Sequence, residues 1–453
     1  MEHYKVLLKT SFKHGGLFVK WSAIALAIGI IVGLAGTVFS KSMIWATGFR
    51  EEHSYILYFL PLAGLFIVWC YRALKVYEDR GTDLILTSLQ RNDNVPIKTA
   101  PLIFMATVLT HLFGGSAGRE GAALQLGGSL GNGIGKLLKL DDNDRKIIIM
   151  CGMSAAFSAM FGTPLAAALF SLEVSTIGTM YYSALLPCII SALVAVHFAG
   201  SMGISQEAFH VEGIPKESIP VFGKVVILAI LCAALSVVLC VVLHDTKKIL
   251  KKLFKNPYIR VVVASVAIIA LTLILGTNDY LGAGVHVIER ALEGDVNTMA
   301  FFWKMLFTAI TLAAGFKGGE IVPSFFIGAT FGSALSPLLG LSPSLCGAIG
   351  MAAVFCGVTN SPIASILISF ELFGFEGMPY YLIAVAISYV LSGYIGLYHD
   401  QGFTHSKYKV VDYNIEKDAE NKELKIADEK VARKKAEKAE KKAEKKAEKN
   451  QPK

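Results

Sequence analysis

Residues 152–173 read GMSAAFSAMFGTPLAAALFSLE, and residues 350–371 read GMAAVFCGVTNSPIASILISFE. Laid side by side without a gap, they share Gly, Met, Ala, Phe, Pro, Ala, Leu, Ser and Glu at nine of 22 positions. Two unrelated apolar helices would match at Ala and Leu, but not also at a proline and a terminal glutamate. A second related pair lies just upstream, Gly118–Gly131 and Gly319–Gly332, with Gly127 matching Gly328. The chain is therefore built of two related halves. Each is broken by Gly, Pro or a charge in the corresponding place, the pattern of inverted-repeat membrane proteins whose interrupted helices meet near the bilayer midplane.

Composition agrees with a membrane setting. Of 453 residues, 54% are hydrophobic and only 17% are charged. Soluble domains carry about 25% charged residues, so this chain lacks the polar surface to cover itself. Runs near 17–40, 54–73, 180–200, 221–243 and 258–276 are unbroken and apolar. Each approaches the roughly 20 residues that cross ~30 Å of hydrocarbon. Those near 99–113, 121–138, 147–172, 301–316, 321–341, 345–373 and 379–398 are interrupted. Irregular backbone at membrane depth is tolerated only where protein or a water-filled cavity surrounds it. An all-α integral membrane protein of broken and re-entrant helices is the expected fold class.

Charge sets the expected topology. The net charge of +8 comes largely from termini and loops, as in Lys5, Lys9, Lys13 and Lys20, then Arg72, Lys75, Arg80, Arg91 and Lys98. That suits the positive-inside rule and excludes a nucleic-acid partner as the reason for the charge. The expected organisation is a cytoplasmic N-terminal segment 1–16, a transmembrane domain 17–401 with halves of about 17–200 and 221–401, and a charged cytoplasmic tail 402–453 without a folded domain. Lys, Glu and Ala dominate that tail, which offers no apolar stripe to dock it. The seven cysteines and ten histidines show no metal-ligand spacing, so no cofactor is expected.

Two short motifs carry the chemistry. In Gly114-Gly115-Ser116-Ala117-Gly118-Arg119-Glu120-Gly121, two ionisable residues interrupt an apolar stretch just before a helical run. Intramembrane charges mark functional sites by default. A helix N-terminus presents free N–H groups and positive dipole charge to an anion. A carboxylate there can take the anion's place, so Glu120 and a permeating ion compete. The plainer alternative is that Glu120 only caps the helix or pairs with Arg119. In Phe316-Lys317-Gly318-Gly319-Glu320-Ile321-Val322-Pro323, glycines allow close backbone approach and Pro323 suits a first helical turn. Two helix N-termini, one from each half, can then point at a common anion.

These motifs carry a resemblance. Gly118-Arg119-Glu120-Gly121 resembles the GREGP motif of the CLC family of chloride channels and anion–proton antiporters, and Gly318–Pro323 resembles its GGxFxP motif. The likeness runs from about residue 17 to 401. It implies the CLC inverted repeat, a homodimer in membrane lipid with one pathway per subunit, and transport of a halide, chloride or fluoride, through a voltage-gated chloride channel-like or proton-coupled mechanism. Glu120 matches the gating and proton-transfer glutamate. Gly118, Arg119 and Gly121 join the anion site, as do the backbone amides of Ile321 and Val322. Tyr398 matches the tyrosine that closes the site, with Tyr394 a neighbouring competitor. Thr82, in Gly81-Thr82-Asp83-Leu84-Ile85, stands where the family's GSGIP motif has serine.

The departures from pattern bear on the ion. Chloride-type antiporters carry a second, internal glutamate directly after the one matching Glu173, and here that position is Val174. Glu173 has its own counterpart in Glu371, which implies a structural role. Ala122 replaces the proline of GREGP, and the GFKGGE string resembles the fluoride–proton branch. Yet Val322 stands where that branch has threonine, and Thr82 where it has asparagine or methionine. A non-transporting receptor or scaffold would gain nothing from charged breaks in both halves. An intramembrane enzyme would need a paired Ser, His or Asp constellation that is not apparent.

Overall fold

The computed structural model describes residues 2–76, 80–91, 93–409, 411–414 and 417–418. The chain forms two units, Met1–Gly402 and Phe403–Lys453. Among the described residues, all sixteen α-helices lie in the first. Residues 421–453, the Lys/Glu/Ala tail, lie outside the described residues.

Eight helices fall in each half. The first half holds α1 (Glu2–Glu52), α2 (Leu60–Ala73), α3 (Thr82–Arg91), α4 (Thr99–Leu112), α5 (Glu120–Leu137), α6 (Asp142–Phe161), α7 (Pro164–Glu173) and α8 (Leu185–Ser201). The second holds α9 (Ile219–Leu253), α10 (Pro257–Leu275), α11 (Val285–Glu293), α12 (Ala300–Ala314), α13 (Ile321–Leu339), α14 (Pro343–Thr359), α15 (Pro362–Phe373) and α16 (Met378–Leu391). The order of long, short and paired helices repeats from α1–α8 to α9–α16. The fold is an all-α membrane bundle.

Several expected boundaries shift. The run near 17–40 is the middle of one continuous helix, α1, because no proline interrupts it before Glu52. The run near 221–243 continues to Leu253, where Lys251 and Lys252 complement the negative end of the helix dipole. The stretches 121–138 and 321–341, expected to be interrupted, are single helices of 18 and 19 residues, the second with Pro323 in its first turn and Pro337 in its last. The stretches 147–172 and 345–373 do break, each into two helices. The break falls at Gly162 in one half and Asn360 in the other, both left-handed C-caps with φ of 74° and 56°. Asn and Gly are the residues that tolerate this conformation, and the shared proline of the repeat then opens α7 and α15 at its first position.

The same glycines pack each half. A Cβ on Gly127 would lie 2.1 Å from the Gly152 carbonyl oxygen, and one on Gly328 would lie 2.3 Å from that of Gly350. One turn on, a Cβ on Gly131 would lie 2.6 Å from the Ile148 carbonyl oxygen and one on Gly332 2.0 Å from that of Cys346. Small residues let helix backbones touch where no hydrophobic force drives them together in lipid. The hairpins α5–α6 and α13–α14 are therefore closed by one device used twice. Their far ends reach different loops. Near the end of α5, Asn132 donates to the Val95 carbonyl oxygen at 2.8 Å, which places that end at the 93–98 loop. Just past α13, the Ser342 hydroxyl donates to the Glu212 carbonyl oxygen at 2.8 Å, in the 202–218 loop.

Candidate anion site

The two signature loops meet as a clamp. Gly118 N–H donates to the Gly319 carbonyl and Gly319 N–H donates to the Gly118 carbonyl, both at 2.7 Å. This antiparallel bridge joins residues about 200 positions apart. It explains why glycine stands at both places. A Cβ on Gly319 would fall 2.5 Å from the Gly121 nitrogen, and one on Gly318 would fall 2.4 Å from the Ala117 Cβ. The clamp holds the N-terminal ends of α5 and α13 together.

Glu120 lies at that junction, with 0% of its surface exposed. One carboxylate oxygen, Oε2, accepts from the backbone N–H of Arg119 at 2.9 Å and from that of Val322 at 3.3 Å. The carboxylate thus folds back on its own helix start and reaches the start of the helix from the other half. An anion bound to the same N–H groups and Glu120 cannot occupy this point together. The competition expected from sequence has a geometric basis.

The other expected site residues divide. Val322 supplies an N–H to Glu120, and Ile321 is buried beside it at the first position of α13. Thr82, buried at the start of α3, donates its hydroxyl to the Gly121 carbonyl oxygen at 3.4 Å. Tyr398 is buried and its hydroxyl has no hydrogen-bond partner. It lines a cavity of about 110 Å³ together with Thr82, Glu320 and Lys317, whereas Tyr394 does not line it. Two expectations need amendment. The Gly118 N–H is spent on the clamp, so it is not free for an anion. The Arg119 guanidinium turns away to Glu207, lies 6.0 Å from the Phe161 ring centroid, and keeps its Nε 3.5 Å from Glu120 Oε1.

Glu173 and Glu371 are engaged elsewhere. Glu173 ends α7 and accepts from Ile363 N–H at 3.2 Å and Ala364 N–H at 2.9 Å, at the start of α15. Glu371, near the end of α15, accepts from Leu165 and Ala166 N–H, both at 2.9 Å, at the start of α7. Each carboxylate caps the other's helix. The terminal glutamate of the repeat is a reciprocal staple, satisfying donors that would otherwise be orphaned in the membrane.

Two glutamines escaped sequence reading. Gln401 fastens the segment carrying Tyr398, donating to the carbonyls of Val174 and Thr359 at 2.8 Å each. Gln125 lines the same cavity as Tyr398. Its signal was available: a lone amide in the apolar run Ala122–Leu126, one turn past Gly121.

Residues 63–393 match the voltage gated chloride channel family. The chain belongs to the CLC family. Among CLC relatives, it is 36% identical over 397 residues to a chloride/fluoride channel protein of Pseudomonas syringae pv. tomato, covering 86% of this chain and 88% of that one. It is 25% identical over 395 residues to the H(+)/Cl(-) exchange transporter ClcA of Vibrio vulnificus, covering 79% and 83% of the two chains. The crystal structure of a CLC-type fluoride/proton antiporter superposes with a TM-score of 0.82 at 32% identity, covering 85% of this chain and 98% of that one. This is a multi-pass membrane protein of the CLC anion-transport class, with the inverted-repeat fold.

Proposed function

We propose that this CLC protein moves fluoride across the membrane in exchange for protons, with Glu120 as its gate and sole proton carrier. The observation that carries the reading is the fate of the carboxylates. Glu120 sits on the N-termini of both halves, whereas Glu173 is consumed as a helix cap and Val174 follows it where a second proton carrier would stand. In its charged form Glu120 occupies the amides an anion needs. Protonation removes the charge, weakens its hold on those N–H groups and leaves them to the incoming ion. Proton and anion then exchange at one place.

The kind of anion is supported by likeness. The relatives named above include a chloride/fluoride channel protein and a fluoride/proton antiporter, and the FKGGE string points the same way. Fluoride is small and strongly hydrated, so a site for it must replace lost water with close donors. The backbone amides of Ile321 and Val322, the Thr82 hydroxyl and the Tyr398 hydroxyl are the donors proposed here. We further propose a homodimer with a complete pathway in each subunit, and both termini on the cytoplasmic side of the cell membrane. Purified protein in liposomes loaded with equal fluoride and chloride tests the ion. Rapid fluoride efflux with proton uptake is expected; chloride leaving as fast, or no accompanying proton movement, defeats the proposal.

A further inference from the structure

We infer that the side-chain amide of Gln125 is a specificity-determining ligand of the transported anion, an inference that rests on the anion-transport reading above. The argument starts from the face that α5 turns to α3. Gly121, Gln125 and Gly128 follow one another along one face at spacings of four and three residues. The Thr82 hydroxyl contacts the Gly121 carbonyl oxygen at 3.4 Å. Farther along, Ile85 lies so near Gly128 that a Cβ there would come within 2.9 Å of it. The two glycines let α3 lie against α5, and Gln125 is the one side chain beyond hydrogen that the stripe offers between them.

That side chain is 2% exposed, and its Oε1 is buried without a hydrogen-bond partner. The group lines the cavity of about 110 Å³ beneath the clamp. Tyr398, from the other half of the repeat, lines the same cavity, and its hydroxyl is also buried and unpaired. Leaving a buried polar group unpaired costs about 1–3 kcal/mol. Two such groups from different halves facing one small cavity call for a third party that satisfies both. A carboxamide can turn by 180° in place, so its two N–H donors reach the cavity at little cost. An N–H and an O–H donor lining one cavity, with Arg80, Lys247 and Lys317 against Asp83 and Glu320 in the same lining, suit an anion rather than a cation.

An amide also fits the exchange. It donates strongly but carries no charge, so it neither competes with Glu120 for the proton nor holds the ion too tightly to release. The loss of one donor should weigh more on fluoride than on chloride, because fluoride gives up more hydration on entry. A bridging water would make Gln125 equally important, or equally unimportant, to both halides.

The experiment compares wild type with Gln125→Leu, which keeps the volume and removes donor and acceptor, and with Gln125→Asn, which keeps the amide. Efflux of each halide from loaded liposomes is followed by electrode, with size-exclusion profile and thermal melt as folding controls. Gln125→Leu is expected to slow fluoride by about 10-fold or more, the equivalent of one lost hydrogen bond, with chloride changed much less and Gln125→Asn recovering part of the difference. Equal slowing of both halides, or unchanged rates, overturns the inference. If Gln125→Leu does not fold, Gln125→Glu, an acceptor-only isostere, is judged by the same two outcomes. A wild-type protein that carries neither halide would instead defeat the transport reading itself, which separates the two failures.

Discussion

Glu120 and Glu173 are both buried carboxylates at helix N-termini, yet their surroundings assign them different work. Glu120 reaches N–H groups where two helix starts converge beside a cavity. Glu120→Gln mimics permanent protonation. Proton coupling is expected to vanish, with anion movement freed or blocked but no longer responsive to pH. A variant retaining the wild-type pH dependence of flux would remove Glu120 from the mechanism. Glu173 instead holds a single helix start, that of α15. Glu173→Leu leaves two N–H groups without partners, at about 1–3 kcal/mol each, and should lower the melting temperature and the yield of folded protein. Glu173→Gln retains one acceptor and should fall between. Coupling ratios measured on the surviving folded protein should match wild type; a changed ratio would mean that Glu173 also handles protons.

At the scale of the element, helix pairing rather than helix formation is the vulnerable step. The α5–α6 and α13–α14 hairpins cross at glycine pairs whose Cβ positions fall within 2.0–2.3 Å of a facing carbonyl oxygen. Gly127→Ala and Gly328→Ala each force those backbones apart, and overpacking of this kind costs about 1–3 kcal/mol or more. Thermal unfolding in detergent should show the loss for both. Gly48, with nothing within 4 Å of a Cβ, serves as the control, and Gly48→Ala should melt with wild type. A different kind of tie secures α11 at the protein's surface. His286 first, and Arg290 with it, hold the Asp279 carboxyl down to about 2 from an ordinary value of 3.8. A carboxylate depressed in the folded state stabilises it above the ordinary value, and that contribution fades as pH falls toward 2. Asp279→Asn should therefore melt below wild type near neutrality, with the gap closing in acid. A gap undiminished at pH ~2.5 would mean the pairing is not what Asp279 contributes.

For the whole molecule, the prediction concerns assembly. The expected homodimer should appear as two labelled subunits per particle by single-molecule counting in bilayers, each with its own pathway. A covalent block at one subunit's site should then halve flux rather than abolish it. Monomers in the bilayer, or complete loss of flux on blocking one subunit, would sink this. How far the molecule could be read beforehand follows from the kind of information involved. Paired halves, apolar spans, the shared proline and the charged breaks are all patterns along one dimension. They identified a membrane bundle with Glu120 at a helix start. Apolar runs also located most of the helices, though not the short α3 and α11, and they misjudged 121–138 and 321–341 because Gly and Ser within an apolar helix look the same whether they break it or pack it. What only the tertiary structure decided were contacts between distant positions. The Gly118–Gly319 clamp, the exchange of caps between Glu173 and Glu371, and the meeting of Gln125 with Tyr398 around one cavity each join residues roughly 200 to 270 apart. No local propensity encodes such a meeting, because each partner is compatible with its own helix whether or not the other arrives. Folding one half against its inverted copy brings them together, and only then does one glutamate reach two helix starts while the other staples a single one.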